Sequence, residues 1–310
     1  MKKTIFVTLC LCLSILLCSC MGTENGVEVI NDYIPLLYEN SVGGAEDHNT
    51  DRYTGEKFFS MEKYEKTNRE KKNDEISGNA QALTYDWTLK SNELSYELDE
   101  YSFVKGRDAV FVSYRTDTNK IVKYQKNVAN NREYMSVVNP NSSESEYIAY
   151  AKAVFLEYAG ISVDAWDVRI QTWRAEYGYN DGFINYVHET PSYNAEYIIT
   201  FSKKIGGIER CDKMYVHMTN VGEIIEFKAV NYDESFGPYA NVQIDRTKIE
   251  EEAWHAFDNI RKNNNVLSEK INNIELITQN GSLWAQVTIE YRLGETSGGV
   301  IYVFEVARLK

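Results

Sequence analysis

The sequence predicts an α+β protein: tandem units of one helix packed on an antiparallel sheet, carried behind a flexible N-terminal tether. Three observations predict it. Short runs from Leu83 onward alternate apolar and polar residues, the period-2 signature of half-buried strands. Two segments carry helix-start signals ahead of an apolar stripe, at Ser143 and at Thr247, and strand-like runs follow each. The chain is 43% hydrophobic and 25% charged, ordinary globular proportions, with 23 tyrosines. Tyrosine suits strands because its ring packs while its hydroxyl stays wet. An aromatic surface for sugar or peptide is the sharper reading of the same excess.

At 310 residues the chain can bury one sizeable core or two or three small ones. Its formal charge of −13 falls to −15 once Lys2 and Lys3 leave with a signal segment. That balance, without a basic patch, argues against a nucleic-acid partner, whose phosphates need a cationic face. Of the 5 cysteines only Cys211 lies beyond residue 20, so the body has neither a disulfide framework nor a paired-thiolate metal site.

Met1-Lys2-Lys3 precedes an apolar run from Ile5 to Leu17, too short to span a membrane and the right length for a signal-peptide core. The run ends in Leu17-Cys18-Ser19-Cys20, which resembles the lipobox of bacterial lipoproteins, with Cys18 standing where Ala, Ser or Thr is usual. The resemblance implies a signal peptide over residues 1–19, cleavage before Cys20 and a diacylglycerol on its thiol. It places the protein outside the cytoplasmic membrane, lipid-anchored, with the membrane as its first partner. A plain secretory signal with incidental cysteines is the alternative.

Residues 20–80 read as a mostly disordered tether. Apolar positions 27, 30, 34 and 37 allow a short helix interrupted by Pro35, and from Ser41 to Asn79 charged and amide residues dominate. Such a segment buries too little apolar surface to offset the entropy of ordering it.

Residues 81–139 form an incomplete first β-rich unit, with strands at Leu83–Leu89, Leu94–Leu98, Tyr101–Phe103, Ala109–Tyr114 and Lys120–Tyr124. A second unit, 140–240, opens with a helix from Ser143, in capping-box spacing with Glu146, to Gly160, striped by Tyr147, Ala151, Val154, Phe155 and Tyr158. Strands follow at Trp166–Ile170, Phe183–His188, Glu196–Ser202, Met214–Thr219 and Glu223–Val230. The third unit, 241–310, restarts with a helix at Thr247, spaced for a box with Glu250, running to about Arg261. Its strands lie at Ile274–Thr278, Leu283–Tyr291 and Val300–Val306, with turns at Asn280-Gly281 and Gly298-Gly299. Phe111-Val112 to Lys123-Tyr124 repeats in outline as Tyr215-Val216 to Glu226-Phe227: aromatic-Val, a polar turn, a charge, two aliphatics, a charge and an aromatic.

The order helix, strand, strand, strand with a Gly-Glu-Ile-Ile ending at Gly222–Ile225 resembles PepSY-type repeats of secreted bacterial proteins, which have a cystatin-like form. The first unit lacks an upstream helix and the last lacks the final Gly-Glu-Ile strand, which leaves two units, three, or a single fused sheet open. The resemblance implies a binding or inhibitory module, such as a regulator of peptidases, and not an enzyme.

Chemistry-bearing residues are sparse. Glu251 and Glu252 precede His255 at metal-ligand spacing, but an exposed acidic helix start explains them without a metal. His48 lies in the tether, His188 at a strand end, and His217 alternates with Met214, Val216 and Met218, so it should point away from their face. Cys211 between Arg210 and Asp212 reads as an activated or an inert thiol. Phosphate-loop, dinucleotide, nucleophile-elbow and His-Glu-x-x-His motifs are absent, so no catalytic residue, cofactor or metal is expected. Trp173, Tyr177, Tyr179 and Tyr186, around the loop Gly178–Gly182, are the candidate contacts for a protein, peptide or glycan ligand, with core packing as the competing explanation. The expected function is a membrane-anchored binding or inhibitory lipoprotein. A hydrolase of glycan or peptide and a structural envelope component are the alternatives.

Overall fold

In a computed structural model the described residues are 26–43, 61–77, 81–91, 94–106, 108–127, 143–174, 178–180, 185–187, 194–230 and 233–310. The protein is mostly β-sheet with few helices, and the chain divides into two compact units instead of the expected serial three. The terminal unit comprises Met1–Tyr53, Ile205–Ile208 and Ser235–Lys310; the central unit comprises Thr54–Lys204 and Glu209–Glu234.

The terminal unit begins with β1 (Val27–Val29) and β2 (Leu36–Gly43). Both pair antiparallel with the last strand, Thr296–Leu309, so that Val27 meets Leu309 and Val42 meets Gly298. Residues 26–43 are therefore sheet edge and not tether: the long final strand leaves backbone groups unpaired beyond its other neighbour, and the N-terminal residues satisfy them.

The central unit holds a ten-stranded sheet. It contains β3 (Met61–Tyr64), β4 (Lys72–Asn73), β5 (Ala82–Ser91), β6 (Leu98–Lys105), β7 (Asp108–Arg115) and β8 (Ile121–Asn127). It continues with β9 (Asp167–Arg174), β12 (Asn194–Ser202), β15 (Met214–Thr219) and β16 (Ile224–Lys228), while β10 (Gly178–Asn180) and β11 (Asn185–Val187) pair separately. Strand β8 pairs with β16, fusing the expected first and second units into one sheet. A row of register partners crosses it: Tyr85, Tyr101, Val112, Tyr124, Phe227, Val216 and Ile199, all buried on one face. Leu94 to Glu97, read as strand, precede β6 as irregular chain with Leu94 and Tyr96 buried.

Two different segments cover that face. Over the β12–β16 side lies α1 (Glu144–Val154), followed by a π-helical turn Phe155–Ala159 that ends on left-handed Gly160. Its start is the predicted one, with Glu146 accepting the Ser143 N–H at 2.6 Å. Ala151, Val154 and Phe155 are buried, and the Phe155 ring sits 5.3 Å from Phe201 and 5.1 Å from Phe227.

Residues 66–77, which the sequence reads as tether, cover the tyrosine-rich side. The strap is hydrophilic, so its own composition hid this role; the rings that anchor it come from the sheet. Lys66 donates its backbone N–H to the Tyr85 hydroxyl at 3.1 Å and its ammonium to Asp99 at 2.8 Å. Tyr101 and Tyr114 donate to the carbonyls of Glu70 (3.1 Å) and Asn73 (3.4 Å).

Between α1 and the end of the central unit run β13 (Lys204–Ile205) and β14 (Ile208–Arg210), joined by a turn at Gly206-Gly207. The Ile205–Ile208 tip belongs to the terminal unit. That unit's helix α2 (Arg246–Asn263) is capped by Asp245, whose carboxylate accepts the Lys248 N–H at 3.1 Å. Thr247 is thus inside the helix, and Glu250 pairs with Arg246 (2.7 Å). A carboxylate two residues upstream outcompetes the hydroxyl as N-cap. Ile249, Ala253 and Phe257 are buried, with Phe257 5.4 Å from the Tyr291 ring.

Strands β17 (Ser268–Gln279), β18 (Ser282–Leu293) and β19 (Thr296–Leu309) are longer than the sequence predicts. Asn280 (φ 51°) and Gly281 (φ 73°) form the expected hairpin turn, both residues left-handed. Gly298-Gly299 is not a turn. It lies within β19, where a Cβ on Gly298 would come 2.6 Å from Tyr291 Cζ, so glycine gives the ring its room; the turn falls at Gly294.

Candidate functional site

The face of the central sheet opposite α1 is the candidate site. Alternation directs Glu196, Ile198 and Thr200 of β12 and Tyr215 and His217 of β15 to it, because Tyr197, Ile199, Met214, Val216 and Met218 fill the other face. His217 therefore points away from the methionines, as its spacing predicts. Register places His217 between Ile198 and Glu226, with Glu196 diagonally across on β12.

The diagonal becomes a bond: His217 Nε2 lies 2.6 Å from Glu196 Oε2, with the two side chains 18% and 13% exposed. Nε2–H donates to the carboxylate whether the ring is the matching neutral tautomer or imidazolium. Beside it the Tyr215 hydroxyl donates to Glu226. Farther across the same face, Ser113 Oγ donates to Glu100 at 2.8 Å, and burial pushes the Glu100 carboxyl above its usual range against the lowering effects of Ser113 and Lys123. Phe111 on β7 stays 44% exposed. The face is thus a surface of paired polar groups with an exposed ring, suited to contact over an area.

The backbone brings one of the predicted residues to the end of this face. Trp173 on β9 is the register partner of Glu196. Tyr179 and Tyr186 are direct partners in the β10–β11 ladder. Tyr177 lies outside the described residues, as do Cys20, His48 and His188. Cys211 is buried, next to the buried Arg210–Asp212 pair, in which Nε and Oδ1 are 2.9 Å apart. Exposed His255 has its Nδ1 3.8 Å from Glu252. Among the described residues no group of three or more His, Cys, Asp or Glu could hold a metal ion, and no helix is long and apolar enough to cross a membrane.

Sequence reasoning missed the His217–Glu196 couple. Alternation gives each residue's face, but only register shows that residues 21 apart in sequence are diagonal neighbours.

No protein-family model matches the chain, and no curated protein matches it. The fold has a likeness to the C-terminal domain of Bacillus megaterium YpeB, at 12% identity over 69% of this chain and 83% of that one, with a TM-score of 0.29. At that score the likeness carries no argument about function.

Proposed function

We propose that the chain is a membrane-anchored extracytoplasmic binding or inhibitory protein of PepSY-like type, lipidated at Cys20, with a protein or peptide ligand. Its binding surface is the sheet face around His217 and Glu196, and Trp173, Tyr177, Tyr179 and Tyr186 are its candidate ligand contacts. The observation that supports the reading is the register that sets Trp173 against Glu196 at the end of an accessible polar sheet face. Aromatic rings beside paired charges are the make-up of protein-contact hot spots. Radiolabelled palmitate should enter the wild-type protein and not Cys20→Ala; equal labelling of the two would end the anchoring part of the proposal. For binding, the purified chain from residue 20 should slow a peptidase of its own envelope and Trp173→Ala should lose that effect. Wild-type protein that neither slows a peptidase nor binds an envelope protein would count against it.

A second reading, a hydrolase, draws on the 2.6 Å His217–Glu196 couple, which has the geometry of an oriented general base. On that reading the wild-type chain hydrolyses a peptide or glycan and His217→Gln abolishes the hydrolysis; wild-type protein with no hydrolysis of either would end it.

A further inference from the structure

The strap at residues 66–77 lies on a surface built from four tyrosines, and it meets them in order. Three of its four cations recur at every third residue, Lys66, Arg69 and Lys72, with Lys71 between the last two. Lys66 reaches Asp99 (2.8 Å), the Arg69 guanidinium lies 5.0 Å from the Tyr85 ring centre, and the Lys72 ammonium lies 5.0 Å from that of Tyr114. The strap's main chain is read as well, because Tyr101 and Tyr114 donate to the Glu70 and Asn73 carbonyls and Tyr85 accepts the Lys66 N–H. Asp74, buried, then bears electrostatically on Tyr124 in the next strand. The rings under the strap stack edge to face, Tyr85 on Tyr101 and Tyr101 on Tyr114, each at 5.5 Å.

Most of these contacts do not depend on the strap's particular sequence. Hydroxyls address backbone groups, and tyrosine faces and a carboxylate address positive charge. The strap's own side chains are largely exposed, Thr67, Asn68 and Lys71 among them, so the surface recognises a backbone with cations at intervals of three. An acidic protein, formally −13, favours a basic partner over a neutral one.

We propose that this tyrosine surface is a peptide-binding groove occupied in cis by residues 66–73. Its ligand in trans is an extended peptide with Lys or Arg at every third position, which gains access by displacing the strap. The groove is on the opposite side of the sheet from the face around His217, so it is a second site that does not rest on the function proposed above.

The probe is a synthetic peptide with the sequence of residues 61–77, measured by fluorescence anisotropy against the full chain from residue 20. Wild type should bind it weakly. Arg69→Gln with Lys72→Gln, which loosens the strap and leaves the groove intact, should bind it at least tenfold more tightly. Adding Tyr101→Phe and Tyr114→Phe keeps the rings and removes the donors, and should take back most of that gain. A peptide with Gln at the positions of Lys66, Arg69 and Lys72 should fail to bind. Equal affinity of wild type and the loosened variant overturns the proposal, as does binding indifferent to the tyrosine hydroxyls. Loosened protein that dimerises and excludes the peptide would identify a second copy's strap as the occupant and overturn it too.

Discussion

Tyr124 and Phe227 are register partners at the seam of the ten-stranded sheet, and they are also the equivalent positions of two sequence-related hairpins. The flanking pairs, Lys123 with Lys228 and Gln125 with Glu226, exchange under the same equivalence. The β7–β8 and β15–β16 hairpins are therefore related by a local twofold through that pair. Symmetry ends there, because α1 covers one half and the strap the other.

The seam makes Phe227 a residue of both halves. Phe227→Ala should cost about 3–5 kcal/mol in denaturant unfolding, the usual range for deleting a fully buried ring. A double-mutant cycle with Phe155→Ala, whose ring is 5.1 Å away, should show coupling of about 0.5–3 kcal/mol. Additive losses would mean that helix and seam are independent.

The strap makes a prediction at alkaline pH. Burial pushes the Tyr101 phenol up to about 12 and those of Tyr114 and Tyr124 higher still. The unfolded chain ionises these phenols near about pH 10, so the folded state favours the protonated form. Stability from this source is complete below that pH and is lost as pH rises through the folded values. Chemical denaturation should show the decline beginning at about pH 10. Tyr101→Phe with Tyr114→Phe should make it shallower, and an unchanged slope would place these phenols in solvent.

Glu100 has the same sign in the acid range. Its raised pKa, caused first by burial, means that the fold prefers the neutral carboxyl. The contribution is full below the unfolded value of about 4.3 and is lost as pH rises through the higher folded value. Glu100→Gln keeps an acceptor for Ser113 and should be more stable than wild type at neutral pH, with the advantage disappearing in acid. A variant less stable at neutral pH would show that the carboxylate is needed charged.

The N-cap of α2 separates two residues that sequence spacing confuses. Asp245→Ala should lower stability by about 1 kcal/mol, whereas Thr247→Ala should stay within about 0.5 kcal/mol. Thermal or denaturant unfolding of the two variants measures the difference, and a larger loss at Thr247 would restore it as the cap.

What the sequence discloses here is local. Ser143 and Glu146, Asn280-Gly281 and the alternation through β15 act over a few residues, and each appears in the structure where its pattern predicts. Long-range pairings have no such signature. The repeat matches Tyr124 to Phe227 without saying that they pair, so the fused sheet stays one of three open arrangements in the sequence, and nothing near Val27 announces Leu309. The strap was read as tether because its charged residues bury little of themselves; the tyrosines that hold it lie elsewhere in the chain. At the candidate site, aromatic content was visible in the sequence, while the His217–Glu196 bond depends on register alone.

The binding face is tested most directly by photocrosslinking in living cells. A photoreactive phenylalanine replaces Tyr186 in the full chain, and in a control it replaces Leu156, which is 61% exposed on the helix side of the sheet. The account predicts one discrete polypeptide adduct from position 186 on irradiation, absent from position 156 and lost when Trp173→Ala is added. No adduct from position 186, or the same adducts from both positions, would contradict it.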